Sequence, residues 1–156
     1  NKAITGEKWN MRLHLAAFIG ALLMIAPAHA DDKVPNAALQ EILIKTTILT
    51  FNDANLTGNY TVLHAKLAKA FRDKITPDQL KKEFKVFADL GADIGLIASM
   101  SPVASGEAKI NTARGSLELR GYFPTQPSRL TYELHYLPSE GKWKPALIDV
   151  RIKPQG

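Results

Sequence analysis

Apolar and polar positions alternate with a period of two through the last part of the chain, from Gly115 to Ile152. Leu117, Leu119 and Phe123 fall on one side, then Leu130, Tyr132, Leu134 and Tyr136, then Ala146, Ile148, Val150 and Ile152. This pattern predicts three consecutive antiparallel strands with a tight turn at Ser139 to Gly141. The other side collects Glu118, Arg120 and Tyr122, then Thr131, Glu133 and His135, then Trp143, Leu147, Asp149 and Arg151. One face is therefore expected to take a layer of helices. The other, with charges of both signs and aromatics between them, suits a half-solvated surface or a dimer interface of moderate polarity. A fourth strand is expected between Val103 and Asn111, after a turn at Ser101-Pro102 and near another at Ser105-Gly106.

Upstream, the period lengthens to that of a helix. From about Asn36 to Ala54, Leu39, Ile42, Leu43 and Thr46 form a stripe at helical spacing, and Ile44, Ile48 and Phe51 widen it beyond one narrow face. So broad an apolar surface suits a helix laid in the hollow of a curved sheet. Gly58 can supply the left-handed residue that ends it. A shorter helical stretch with a looser end is expected over Tyr60 to Arg72, carrying Val62, Leu63, Leu67 and Phe71. Thr76-Pro77-Asp78-Gln79 spells a capping box with Pro at the first helical position. The helix it starts is expected to run from Pro77 to Leu90, burying Leu80, Phe84, Phe87 and Leu90 ahead of Gly91. Lys81, Lys82 and Lys85 lie on its opposite side and read as a solvated face, because Asp78 and Glu83 interrupt them. Ile94, Leu96 and Ile97 are expected to be buried.

Composition places these elements in one ordinary globular domain: 156 residues, 46% hydrophobic and 22% charged. The formal charge of +5 shrinks to +3 beyond residue 30, because residues 1 to 30 hold Lys2, Lys8 and Arg12 against Glu7 alone. That surplus is too scattered for a nucleic-acid footprint. The first residues read as an address. Met11 is expected to be the start, with residues 1 to 10 an upstream extension, and residues 11 to 30 form a signal peptide. Arg12 supplies the positive segment, Leu13 to Ala26 the apolar run, and Ala28-His29-Ala30 the cleavage site before Asp31. The apolar run is short against the roughly 20 residues that span a bilayer. The mature chain, residues 31 to 156, is then expected to be exported, periplasmic or secreted, with no membrane span after cleavage. With no cysteine present there is no disulfide, thiol nucleophile or thiolate metal site.

Helix, short helix and helix followed by a meander of about four strands defines an α+β fold, three N-terminal helices on one face of an antiparallel sheet. That order of elements, the FND...TGNY link between the first two helices, and the ending GYFPTQPSRLTYELHYLPSEGKWKPALIDV, with its Gly-x-Trp-Lys at Gly141 to Lys144, resemble the NTF2-like (cystatin-like) superfamily, in particular its small exported members of unknown function. The resemblance covers about Ala37 to Ile152. It implies a cone: a curved sheet wrapped around the first helix, with a pocket opening between them. Superfamily enzymes such as the ketosteroid isomerases and scytalone dehydratase place an Asp or His base and a Tyr or acid donor in that pocket. Many other members bind ligands or dimerise through the outer sheet face. No catalytic motif of those enzymes matches this chain residue by residue, so no catalytic residue is carried over.

Judged by chemistry alone, Asp53, His64, Tyr132 and Tyr136 could line such a pocket, with Asp53 or His64 as a base and a tyrosine as donor. Each also has a structural explanation: a carboxylate bonded near a helix end, a packed histidine, and core tyrosines. Arg120, Tyr122, Glu133, His135 and Trp143 are the candidates for a dimer face. His64 and His135 are the only histidines beyond residue 30 and lie in no ligand motif, so neither a metal site nor a cofactor is expected. The expected function is non-catalytic binding of a small apolar or amphipathic ligand or a protein partner, with homodimerisation through the outer sheet face. An isomerase- or dehydratase-like enzyme is the alternative.

Overall fold

The computed structural model describes residues 33–154; the expected upstream extension and signal peptide lie outside the described residues. Helix α1 (Ala37–Thr57) is followed by two short helices, α2 (Thr61–Lys66) and α3 (Lys69–Arg72), and two more, α4 (Pro77–Glu83) and α5 (Lys85–Ala88). A 3-10 turn (Gly95–Ser99) leads into strands β1 (Val103–Ala104), β2 (Lys109–Asn111), β3 (Ser116–Phe123), β4 (Ser128–Ser139) and β5 (Lys142–Pro154). β3, β4 and β5 form the antiparallel meander, and β1 and β2 both pair with the far edge of β3. The fold is α+β, with helices packed on an antiparallel sheet.

The ends of α1 follow from its sequence. Asn36 caps it by accepting the Leu39 N–H at 2.9 Å, and Gly58, at φ 69°, closes it with its N–H on the Ala54 carbonyl. Its buried residues are Ile44, Thr47, Ile48, Thr50, Phe51, Asn52 and Ala54. Leu39 and Ile42, expected to point inward, are 42% and 59% exposed. A helix apolar on most sides has no single face marked in advance, so the sheet decides which side is covered. Ile48 and Phe51, at 0% and 1% exposure, meet Leu117, Leu130 and Leu134 of the sheet in one core, each burial worth about 2 kcal/mol. Leu96 and Leu90, also expected inside, are 54% and 41% exposed.

The two later helical stretches are each broken once. Leu67 is extended (ψ 153°), which lets Leu67 and Ala68 bury and lets the Ala68 N–H reach the Pro145 carbonyl of β5 at 2.8 Å. Phe84 leaves helical geometry between α4 and α5, where its ring meets those of Phe51 and Tyr60. The capping box is as expected: Thr76 accepts from the Gln79 N–H and Gln79 accepts from the Thr76 N–H.

The expected strand between Val103 and Asn111 is split. Ala104 stands opposite Gly121 and Lys109 opposite Glu118, so four residues on one side face two on the other and the chain bows out around Ser105-Gly106. The β4–β5 hairpin turns through two residues, Glu140 (φ 53°) and Gly141 (φ 76°), the pair of left-handed residues a two-residue turn demands.

Candidate functional site

The proposed pocket residues do not converge. Tyr136, fully buried, donates its hydroxyl to the Leu43 carbonyl at 2.9 Å and shares a 2.8 Å hydrogen bond with Thr47, tying β4 to α1. Burial drives its phenol well above the ordinary range. Tyr132, on the same face, lies across Gly121, its directly opposite partner in β3, and burial pushes it up to about 12. His64 donates its Nε2–H to the Ile75 and Arg72 carbonyls, at 2.6 and 3.0 Å, and so staples α2 to the end of α3 and the segment after it. Asp53 is exposed on α1, beside an outer cleft of about 220 Å³ that also includes Thr50, Val62 and Lys66. The space between α1 and the sheet is filled by Ile48, Phe51, Leu117 and Leu134. No two of the four candidates share a hydrogen bond among the described residues, so the geometry of a base facing a phenolic donor is not assembled.

The FND...TGNY residues instead build the corner between α1 and α2. Thr57 bonds the Asp53 carbonyl at 2.6 Å, Asn59 accepts the Thr61 N–H at 3.1 Å, and Tyr60 donates to Asn55 at 2.5 Å. Buried Asn52 accepts the Ile94 N–H at 3.0 Å and donates to Asp93 at 3.0 Å, clamping α1 to the 3-10 turn.

The face of the sheet turned away from the core carries the most developed polar arrangement. Arg120 bonds Glu133 at 3.0 Å and approaches Glu118 at 3.3 Å. Lys109 stands 3.5 Å from Glu118, and Asn111 donates to it at 3.0 Å. His135, opposite Glu118 in register, donates its Nε2–H to Glu133 at 2.8 Å. One strand over, Arg151 pairs with Asp149, and at the far end the Arg129 guanidinium lies 4.0 Å over the Tyr122 ring. Glu118 and His135 are only 4% and 8% exposed, on a face expected to be half solvated. Burial by itself would raise the Glu118 carboxyl, but the Asn111 hydrogen bond and the charges of His135, Arg120 and Lys109 together hold it below its ordinary value. The Arg120 hydrogen bond is the leading reason Glu133 is lowered, against the opposing effect of burial, with His135 adding to it.

Trp143 does not belong to this face. A register shift between His135 and Tyr136 leaves Leu147 opposite His135 but Pro145 opposite Tyr136, so Ala146 is extra and the parity of β5 inverts before it. Trp143 then pairs with Pro138 on the core-facing side and packs against the core. Strict alternation could not reveal this, because a bulge leaves no periodic trace except a proline at 145.

These observations define an α+β helix-on-sheet domain with a filled interior and a charged outer sheet face. No family model matches the chain, and no curated protein and no solved structure matches it.

Proposed function

We propose that this chain is an exported, non-catalytic domain of the NTF2-like kind, and that its partner is a second copy of itself met through the outer face of the sheet. The observation that carries the reading is the network around Arg120, Glu133, Glu118 and His135. Its acids already have basic partners within the face, so two copies can meet without burying an unpaired charge. Leu147, half-buried beside His135, and Tyr122 supply apolar contact. Among the described residues the helices lie on the other side of the sheet. The acid–base alternative has no comparable support, since His64 and Tyr136 are committed to structural hydrogen bonds and Asp53 faces solvent.

Sedimentation of the processed protein checks the reading, together with the Leu147→Lys variant, which places an unpaired charge at the centre of the face. Wild type is expected to sediment as a dimer and the variant as a monomer with an unchanged far-UV spectrum. A wild-type monomer at high micromolar concentration would sink the proposal. The export half predicts an N-terminus at Asp31 on the recovered protein, and a chain retaining Met11 contradicts it.

A further inference from the structure

A cleft of about 450 Å³ opens between the end of α1 and one face of α4–α5, away from the outer face of the sheet. Asp78, Lys81, Lys82, Lys85 and Asp89 line it from α4 and the α5 stretch, at the spacing of one continuous helical side. Elsewhere on the helices Lys45 closes onto Glu41 and Lys69 onto Asp73, four residues away, and within the cleft Lys85 closes onto Asp89 in the same way. Asp78 stands at the same spacing before Lys82, yet that pair does not close, and neither Lys81 nor Lys82 has a carboxylate partner among the described residues. Lys81 folds toward α1, with Nζ 3.3 Å from where a Cβ on Gly58 would stand. Half-buried Ala88 and the aliphatic stems of the lysines contribute apolar surface, above Tyr60, which is buried at 3% exposure. Tyr60 is held rigidly, by its hydrogen bond to Asn55 and by its ring stacked at 6.4 Å on Phe84.

The geometry points to a binding site for an amphipathic organic anion, its single charged head between Lys81 and Lys82 and its apolar body against Ala88 and the lysine stems. The volume falls within the usual range of small-molecule sites, roughly 300 to 1,000 Å³. Asp78 and Asp89 at the two ends disfavour a polyanion, which would meet repulsion on either side of the lysines. The capping box that starts α4 and the Asn55–Tyr60 hydrogen bond fix both walls before a ligand arrives, which lowers the ordering cost of binding.

Titration calorimetry of the processed protein with decanoate tests the site, with decyltrimethylammonium and inorganic phosphate as comparison probes. Decanoate is expected to bind and the cationic amphiphile not to. The double variant Lys81→Gln, Lys82→Gln is expected to weaken decanoate binding by roughly tenfold or more, while Lys81→Arg, Lys82→Arg retains it. Both lysines are exposed, so an unchanged circular dichroism spectrum is expected and separates lost binding from lost folding. Absence of decanoate binding, equal binding of the cation, binding of phosphate without decanoate, or a decanoate affinity indifferent to the glutamine pair would each overturn the site. None of these outcomes bears on dimerisation through the sheet, which Leu147→Lys reads separately.

Discussion

Gly121 is small for a reason external to its own backbone. A Cβ there would overlap the Val103 carbonyl oxygen of β1 and the hydroxyl of Tyr132, which lies across it from β4. Gly121→Ala is expected to destabilise the protein by about 2 kcal/mol through overpacking at a buried site, as read by chemical denaturation. A change below about 0.5 kcal/mol, the usual range of surface substitutions, would show that β1 yields without cost. Asn52 and Glu118 belong to the same scale. Each is a polar residue buried to 3% or 4% exposure, and each is satisfied by residues of other elements: Ile94 and Asp93 for Asn52, Asn111 and Lys109 of β2 for Glu118. Nothing near Asn52 in sequence marks it as a clamp, because its partners lie 41 and 42 residues away.

Among the elements, the hairpin is the most local. A Cβ on Gly141 would meet nothing within 4 Å, so the left-handed φ of 76° alone resists substitution. Gly141→Ala is expected to cost about 1 kcal/mol by backbone strain, and Gly141→Asn less, since asparagine tolerates that region. Equal denaturation midpoints for the two variants would argue against the strain account. Strand β5 is an edge among the described residues: Lys142, Lys144 and Lys153, with Pro145 and Pro154, discourage a further strand, and the Ala68 N–H occupies the Pro145 carbonyl. The start of α4 and the β4–β5 turn were legible because caps and turns act over three or four residues. The breaks at Leu67 and Phe84 were not, since both answer to packing against other elements.

Across the whole molecule, charge pairs join parts that the chain order separates. Glu140, in the hairpin turn, receives Arg72 from α3 in two hydrogen bonds of 3.0 and 3.2 Å, and also Lys144. The Arg72 hydrogen bond, followed by that of Lys144, lowers its carboxyl to about 2 from 4.5. Because the folded value lies below the unfolded one, the contribution is complete above about pH 4.5 and is lost as pH falls toward about 2. Glu118 and Glu133 shift in the same direction. The melting temperature is expected to fall across that window, and less steeply in Glu140→Gln; parallel pH profiles for the two proteins would remove Glu140 from the account.

The sequence by itself determined what short-range physics controls: the period-two strands, the turn at Ser139 to Gly141, the capping box at Thr76, and an α+β order of elements. Tertiary structure decided which side of α1 is covered, that Ala146 bulges and carries Trp143 to the core, and that the space beneath the sheet is filled. It also drew Glu118 and His135 out of solvent on the far face. Each of these depends on which surfaces meet, and an apolar helix or an alternating strand offers more than one surface until its neighbour has arrived.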